Sequence, residues 1–153
     1  MSLSHLLLSL DGRIGRARFW LGTAILVAVS VAAKYVILSL VGLSQAAVAF
    51  SAAVAFALAY PAYAICAKRF QDRGKPGVLA LIGLVPSYSA DLLYTFGIFD
   101  LDHPSALAQA LDVVIVIIGL WFLVELGFLK GTQGPNRFGA DPLGQDQADA
   151  VLS

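Results

Sequence analysis

Charge is scarce in this chain. Only 13% of its 153 residues are Asp, Glu, Lys or Arg, and 59% are hydrophobic. A soluble domain carries roughly a quarter charged residues, and a core of this size cannot hide so much apolar surface. The scarcity therefore points to a membrane protein of one domain. Acidic and basic residues balance at ten each, so there is no basic excess of the kind nucleic-acid binding needs. Cysteine is nearly absent. Cys66 stands alone, which excludes an internal disulfide or a thiolate metal cluster and leaves a small apolar side chain. His5 and His103 are far apart, and no zinc motif, phosphate loop, dinucleotide fingerprint or nucleophile–base pair is visible. No enzyme, cofactor or metal site is expected. The opening MSLSHLLLSLDG lacks a basic start and a small-residue cleavage site. It reads as a short interfacial helix, with Leu3, Leu6, Leu7 and Leu10 toward lipid, rather than as a signal peptide.

What the chain has in abundance is long apolar runs. A helical span needs roughly 20 such residues. Four stretches qualify: from near Phe19 to Val41, Ser44 to Cys66, Gly77 to Phe99, and Ala106 to Leu129. The fold expected is an all-α integral membrane bundle of about four transmembrane helices. Residues 1–18 form an N-terminal interfacial segment, 19–130 the bundle and 131–153 a polar tail disordered in its last part. Ala49, Ala53 and Ala57 recur at every fourth position, a stripe that lets helices approach closely. Pro61 and Pro86 fall inside spans and should bend them.

The few charges are not scattered. Arg13, Arg16 and Arg18 precede the first span. Lys68, Arg69, Arg73 and Lys75 lie in CAKRFQDRGKPG, the connector between the second and third, and Lys130 and Arg137 follow the fourth. The other two connectors hold no Lys or Arg. Basic residues flank spans on the cytoplasmic side, so both termini and the CAKRFQDRGKPG connector are expected in the cytoplasm. Three polar motifs then converge there: DGRIGRARFW, AKRFQDRGKPG and KGTQGPNRFGADP.

In these motifs the chain resembles the domain of unknown function 805 family, small bacterial inner-membrane proteins. Gly12, Arg13, Arg16, Phe19 and Trp20 match its entry motif, and Lys68, Arg69 and Asp72 its loop. Gly134, Asn136, Phe138, Gly139, Asp141 and Pro142 match its exit. Gln71 and Val78 stand where the family's loop usually carries His and Trp. The resemblance implies a multi-pass protein of a bacterial cytoplasmic membrane and brings no activity with it.

Two groups of candidate site residues follow. Arg13, Arg16, Arg69, Asp72, Asn136, Arg137 and Asp141 would meet at the cytoplasmic face. Arg forks suit phosphate, and basic interhelical pockets on that side take anionic lipid headgroups. The same Arg residues would alternatively pair with Asp72, Asp141 and Glu125 to tie the loops together. Lys34, Asp91 and Asp112 lie within spans, where charge is costly. At about 1.5 Å of rise per residue they reach one level, roughly 10 Å below the outer surface. A Lys34–Asp91 ion pair is expected there. The leading function class is a non-enzymatic module whose cytoplasmic face binds an anionic headgroup or a partner protein. The rival is a small transporter or channel component passing a proton or small ion at that level, as a homo-oligomer.

Overall fold

The computed structural model describes residues 2–100 and 103–144. The end of the tail, expected to be disordered, lies outside the described residues. Among those described the chain is helical, with no strand beyond an isolated backbone bridge between Asn136 and Gly139. The helices are α1 (Leu3–Leu8), α2 (Arg16–Val41), α3 (Gln45–Asp72), α4 (Leu81–Thr95) and α5 (Ala106–Phe122). A 3-10 turn, Gly77–Ala80, leads into α4, and a π segment, Leu123–Phe128, ends α5. With these extensions, four helices are long and apolar enough to cross a membrane.

Local chemistry sets the ends. Gly42, at φ 62°, stops α2 and donates its N–H to the Leu38 carbonyl at 3.0 Å. A β-carbon would be strained there. Two residues on, the Ser44 hydroxyl caps α3 by accepting from the Ala47 N–H at 3.3 Å, so α2 and α3 form a tight hairpin. Ser105 caps α5 in the same way, through Ala108 at 3.2 Å. Pro61 and Pro86 both lie inside helices.

Helix α3 is the spine, with α2 on one side and α4 on the other; α2 and α4 do not touch. Close crossings occur at small residues, as membrane helices require. A β-carbon on Gly22 would stand 2.7 Å from Ile65, and one on Gly83 2.8 Å from the Phe122 ring. At Gly77 it would meet the Ala67 β-carbon at 2.9 Å and its Cα at 3.2 Å. Backbone cannot yield as a side chain can, so Gly77→Ala should cost about 1–3 kcal/mol of stability in detergent unfolding. A neutral result would show that the α3 crossing is looser than drawn.

The larger buried side chains gather at one end. Ile14, Ile65, Phe70 and Leu126 are fully covered, and so are Lys68 and Arg69. Phe70 sits between Trp121 and Phe122, with ring centroids 5.8 and 5.4 Å away. Toward the opposite end the helices leave most of their apolar side chains uncovered. Two expectations need correction here. Leu6 does not face lipid: it is buried at 4% exposure, against the Gly22 and Ile65 crossing. Nor is CAKRFQDRGKPG all connector, because α3 runs on through Asp72. Hydropathy loses the helix where Lys68 and Arg69 begin, but their donors find carbonyls and the helix continues.

Candidate functional site: a buried arginine–aspartate knot and a basic cavity

At the well-packed end, segments far apart in sequence are tied to one carboxylate. Asp72 closes α3, three residues after Arg69, so both point to the same side. Arg69 donates to one Asp72 oxygen, and Arg13, from the segment before α2, donates to the other at 3.1 Å. The side chains of both arginines are 0% exposed and that of Asp72 is 4% exposed.

The remaining donors of both arginines go to backbone. Arg13 reaches the carbonyls of Thr132 (2.5 Å), Gly134 (2.7 Å) and Gly139 (3.3 Å). Arg69 reaches those of Leu126 (2.7 Å), Ile14 (3.4 Å) and Leu129. A guanidinium has five N–H donors, so each arginine has four of them committed, and a second Arg13 nitrogen also lies 3.1 Å from Asp72. Together they clamp the tail and the end of the α5 π segment onto α3.

Neighbouring groups extend the clamp. Lys68 donates to the last carbonyls of α1, His5 at 2.6 Å and Leu6 at 2.7 Å, which docks that helix on the bundle. Glu125 takes Arg73 (3.1 Å) and Lys75 (2.6 Å). Gln71, with its amide nitrogen on the Gly12 (2.6 Å) and Leu10 (3.3 Å) carbonyls, holds the entry loop. Asn136 donates to the Gln71 carbonyl at 3.0 Å and to the Thr132 hydroxyl at 2.9 Å. Asp141 accepts from the N–H groups of Gly134 (2.8 Å) and Leu143 (3.0 Å). These bonds, the Gly134 one foremost, hold its carboxyl below the usual carboxylate range. Arg137 lies over the Phe138 ring, 4.6 Å from its centroid, and reaches the Gly74 carbonyl at 3.5 Å.

In front of the knot lies a cavity of about 700 Å³. Arg69 and Asp72 form its rear wall. Its rim carries Arg16, Arg18 and Lys130, with Trp20, Phe128 and Pro142 as apolar lining. Arg16 commits one donor, to the Phe128 carbonyl at 3.2 Å. Among the described residues, the Lys130 ammonium has neither a hydrogen bond nor an ion pair. Trp20 is fixed by its indole N–H on the Gly127 carbonyl at 3.2 Å. Arg16 and Lys130 thus keep cationic donors beside an aromatic platform, which suits a phosphate or carboxylate.

Of the residues singled out in the sequence, Arg13, Arg69, Asp72, Asn136 and Asp141 therefore meet around one network. Arg16 faces the cavity and Arg137 lies at the edge. The pairing differs from the alternative reading: Asp72 takes both arginines, Glu125 takes Arg73 and Lys75, and Asp141 takes backbone. Sequence reasoning missed Arg18, Trp20, Phe128 and Lys130 as cavity lining. Their positions flanking the first and fourth spans were the available signal.

The intramembrane group divides. Lys34 and Asp91 line one cavity near the opposite end, yet no ion pair within 4 Å joins them. Asp112 instead accepts from the Tyr94 hydroxyl at 2.7 Å. The expected Lys34–Asp91 pair is not formed, because α2 and α4 are held apart by α3. Among the described residues no group of three His, Cys, Asp or Glu side chains gathers as metal ligands do.

No solved structure shows a significant match to the chain. The uncharacterised protein YiiR of Escherichia coli K12 is 30% identical over 141 residues, covering 92% of this chain and 90% of that protein. The same protein of Escherichia coli O157:H7 matches equally. A family model described as a protein of unknown function, DUF805, matches residues 7–140, which span the entry motif, all four long helices and the clamped tail. The chain belongs to the DUF805 family.

Proposed function

We propose that this is a non-enzymatic protein of the bacterial cytoplasmic membrane, and that its cytoplasmic face binds the anionic headgroup of a phospholipid. The observation that carries the reading is the division of labour among the cations. Arg13 and Arg69 are consumed by Asp72 and backbone. Arg16 and Lys130 keep donors toward a cavity they share with Trp20 and Phe128. A headgroup site needs that combination: cations for the phosphate and an aromatic rim at the membrane interface.

Orientation follows from charge. Of the ten Lys and Arg residues, all but Lys34 lie at the clamped end, and basic flanks stay inside. Reporter fusions at Gly74 should read cytoplasmic, and fusions at Ser44 and Ser105 should read outside. An outward reading at Gly74 would overturn the orientation and the choice of headgroup with it.

Native mass spectrometry of the gently extracted protein tests the site. Wild type should retain phosphatidylglycerol or cardiolipin, and Arg16→Gln with Lys130→Gln should lose it. Retention of a protein instead of a lipid would favour the partner reading. Retention of anionic lipid by the double variant would refute the site.

A further inference from the structure

The second cavity, about 510 Å³, lies near the other end of the bundle. It is a groove with α3 as its floor and α2 and α4 as its walls, since those two helices pack on α3 and never on each other. Room comes from the floor, where Ala47, Ala52 and Ala55 present only methyl groups. One wall carries Lys34. The other carries Asp91, Tyr94 and Thr95, and Ser51 rises from the floor. On the helical rise, Lys34 lies roughly 27 Å along α2 from Arg16, so this groove is separate from the basic cavity.

Its chemistry is unusual for a membrane-embedded surface. A cation and a carboxylate face the same space, both exposed, and no ion pair joins them. Unpaired charge at this depth is costly, and the attraction between the two cannot close the gap while α3 holds the walls apart. Tyr94 lines the groove and its proton is already given to Asp112, so its hydroxyl can act only as an acceptor toward a ligand. The pattern is that of a two-ended receptor: a donor for an anion on α2 and acceptors for an ammonium on α4. The apolar side chains of Leu38 and Val48 line the rest.

We infer that this groove binds a zwitterion, with an anionic oxygen on Lys34 and a primary ammonium on Asp91 and Tyr94. Two sources share that chemistry: the headgroup of phosphatidylethanolamine entering from the bilayer, and a free amino acid entering from the outer solution. Either would satisfy both charges at once. Phosphatidylcholine has no N–H donor for Asp91, and phosphatidylglycerol has no cation for it.

The test is ligand-induced thermal stabilisation in mild detergent of the full chain carrying Arg16→Gln and Lys130→Gln, so that the basic cavity does not take up the probes. The probes are short-chain phosphatidylethanolamine, phosphatidylcholine and phosphatidylglycerol, and glycine. Phosphatidylethanolamine or glycine should raise the melting temperature, the first marking a lipid source and the second a solute. Lys34→Met and Asp91→Asn should each weaken that binding roughly tenfold or more, the worth of one hydrogen bond to a charged group. Gly119→Ala, with open space at its β-carbon position, should leave it unchanged. Should a neutral variant fail to fold, Ala52→Phe fills the groove from its floor and leaves both charges in place; it should abolish binding. The inference is overturned if neither zwitterion stabilises this protein, or if phosphatidylglycerol stabilises it as well as phosphatidylethanolamine does. Undiminished affinity in both neutral variants, or in Ala52→Phe, overturns it equally.

Discussion

Asp72→Asn is expected to destabilise the protein by about 3–5 kcal/mol in detergent unfolding, the usual penalty for breaking a buried ion pair from one side. The amide keeps the shape and removes the charge. Two guanidiniums, each with a side chain 0% exposed, then lose their shared counterion. Burial makes this effect large, for an exposed pair would be worth under about 1 kcal/mol. Arg13→Met should cost less, because Asp72 keeps Arg69, but it frees the tail carbonyls of Thr132, Gly134 and Gly139. The tail should then become open to proteolysis while the helices hold. A loss below about 1 kcal/mol for Asp72→Asn would mean that water reaches the knot.

Gly131→Ala should approach the same severity, at about 3 kcal/mol, the upper end of overpacking costs. A β-carbon there would stand 2.0 Å from one Asp72 oxygen, 2.6 Å from its carboxyl carbon and 2.8 Å from the other oxygen. The carboxylate cannot step aside without leaving Arg13 or Arg69. Gly119→Ala is the control. Nothing lies within 4 Å of its β-carbon position, and alanine suits a helix better than glycine. That variant should unfold at or slightly above the wild-type temperature. Equal behaviour of the two variants would show that the tail does not lie against Asp72.

The sequence revealed the spans readily because transfer to lipid is a sum over many residues, and a few misjudged positions do not alter it. It was weaker wherever one side chain decides. The end of α3 was placed too early because Lys68 and Arg69 look like exits from a membrane, whereas their carbonyl partners come from α1, α5 and the entry loop. Leu6 looked lipid-facing because nothing in a six-residue helix says that Gly22 leaves room for it. The meeting of Arg13, Asp72 and the tail was legible, since the charge pattern puts their segments on one face. Which cations would be spent and which left over was not, because that depends on carbonyls every sequence possesses. Depth along a helix likewise placed Lys34, Asp91 and Asp112 at one level, but rise carries no information about rotation. Rotation gives Asp112 to Tyr94 and leaves Lys34 and Asp91 across a groove.

Arg13, Asp72 and Arg69 tie the fold together, and we propose that Arg16 and Lys130 hold a ligand. The most direct measurement is the melting temperature of wild type and of Arg16→Gln with Lys130→Gln, each titrated with short-chain phosphatidylglycerol. Without lipid the two proteins should melt together, because neither side chain serves the knot. With lipid, only wild type should rise. A double variant that melts well below wild type without lipid, or that rises as wild type does when lipid is added, would contradict the account.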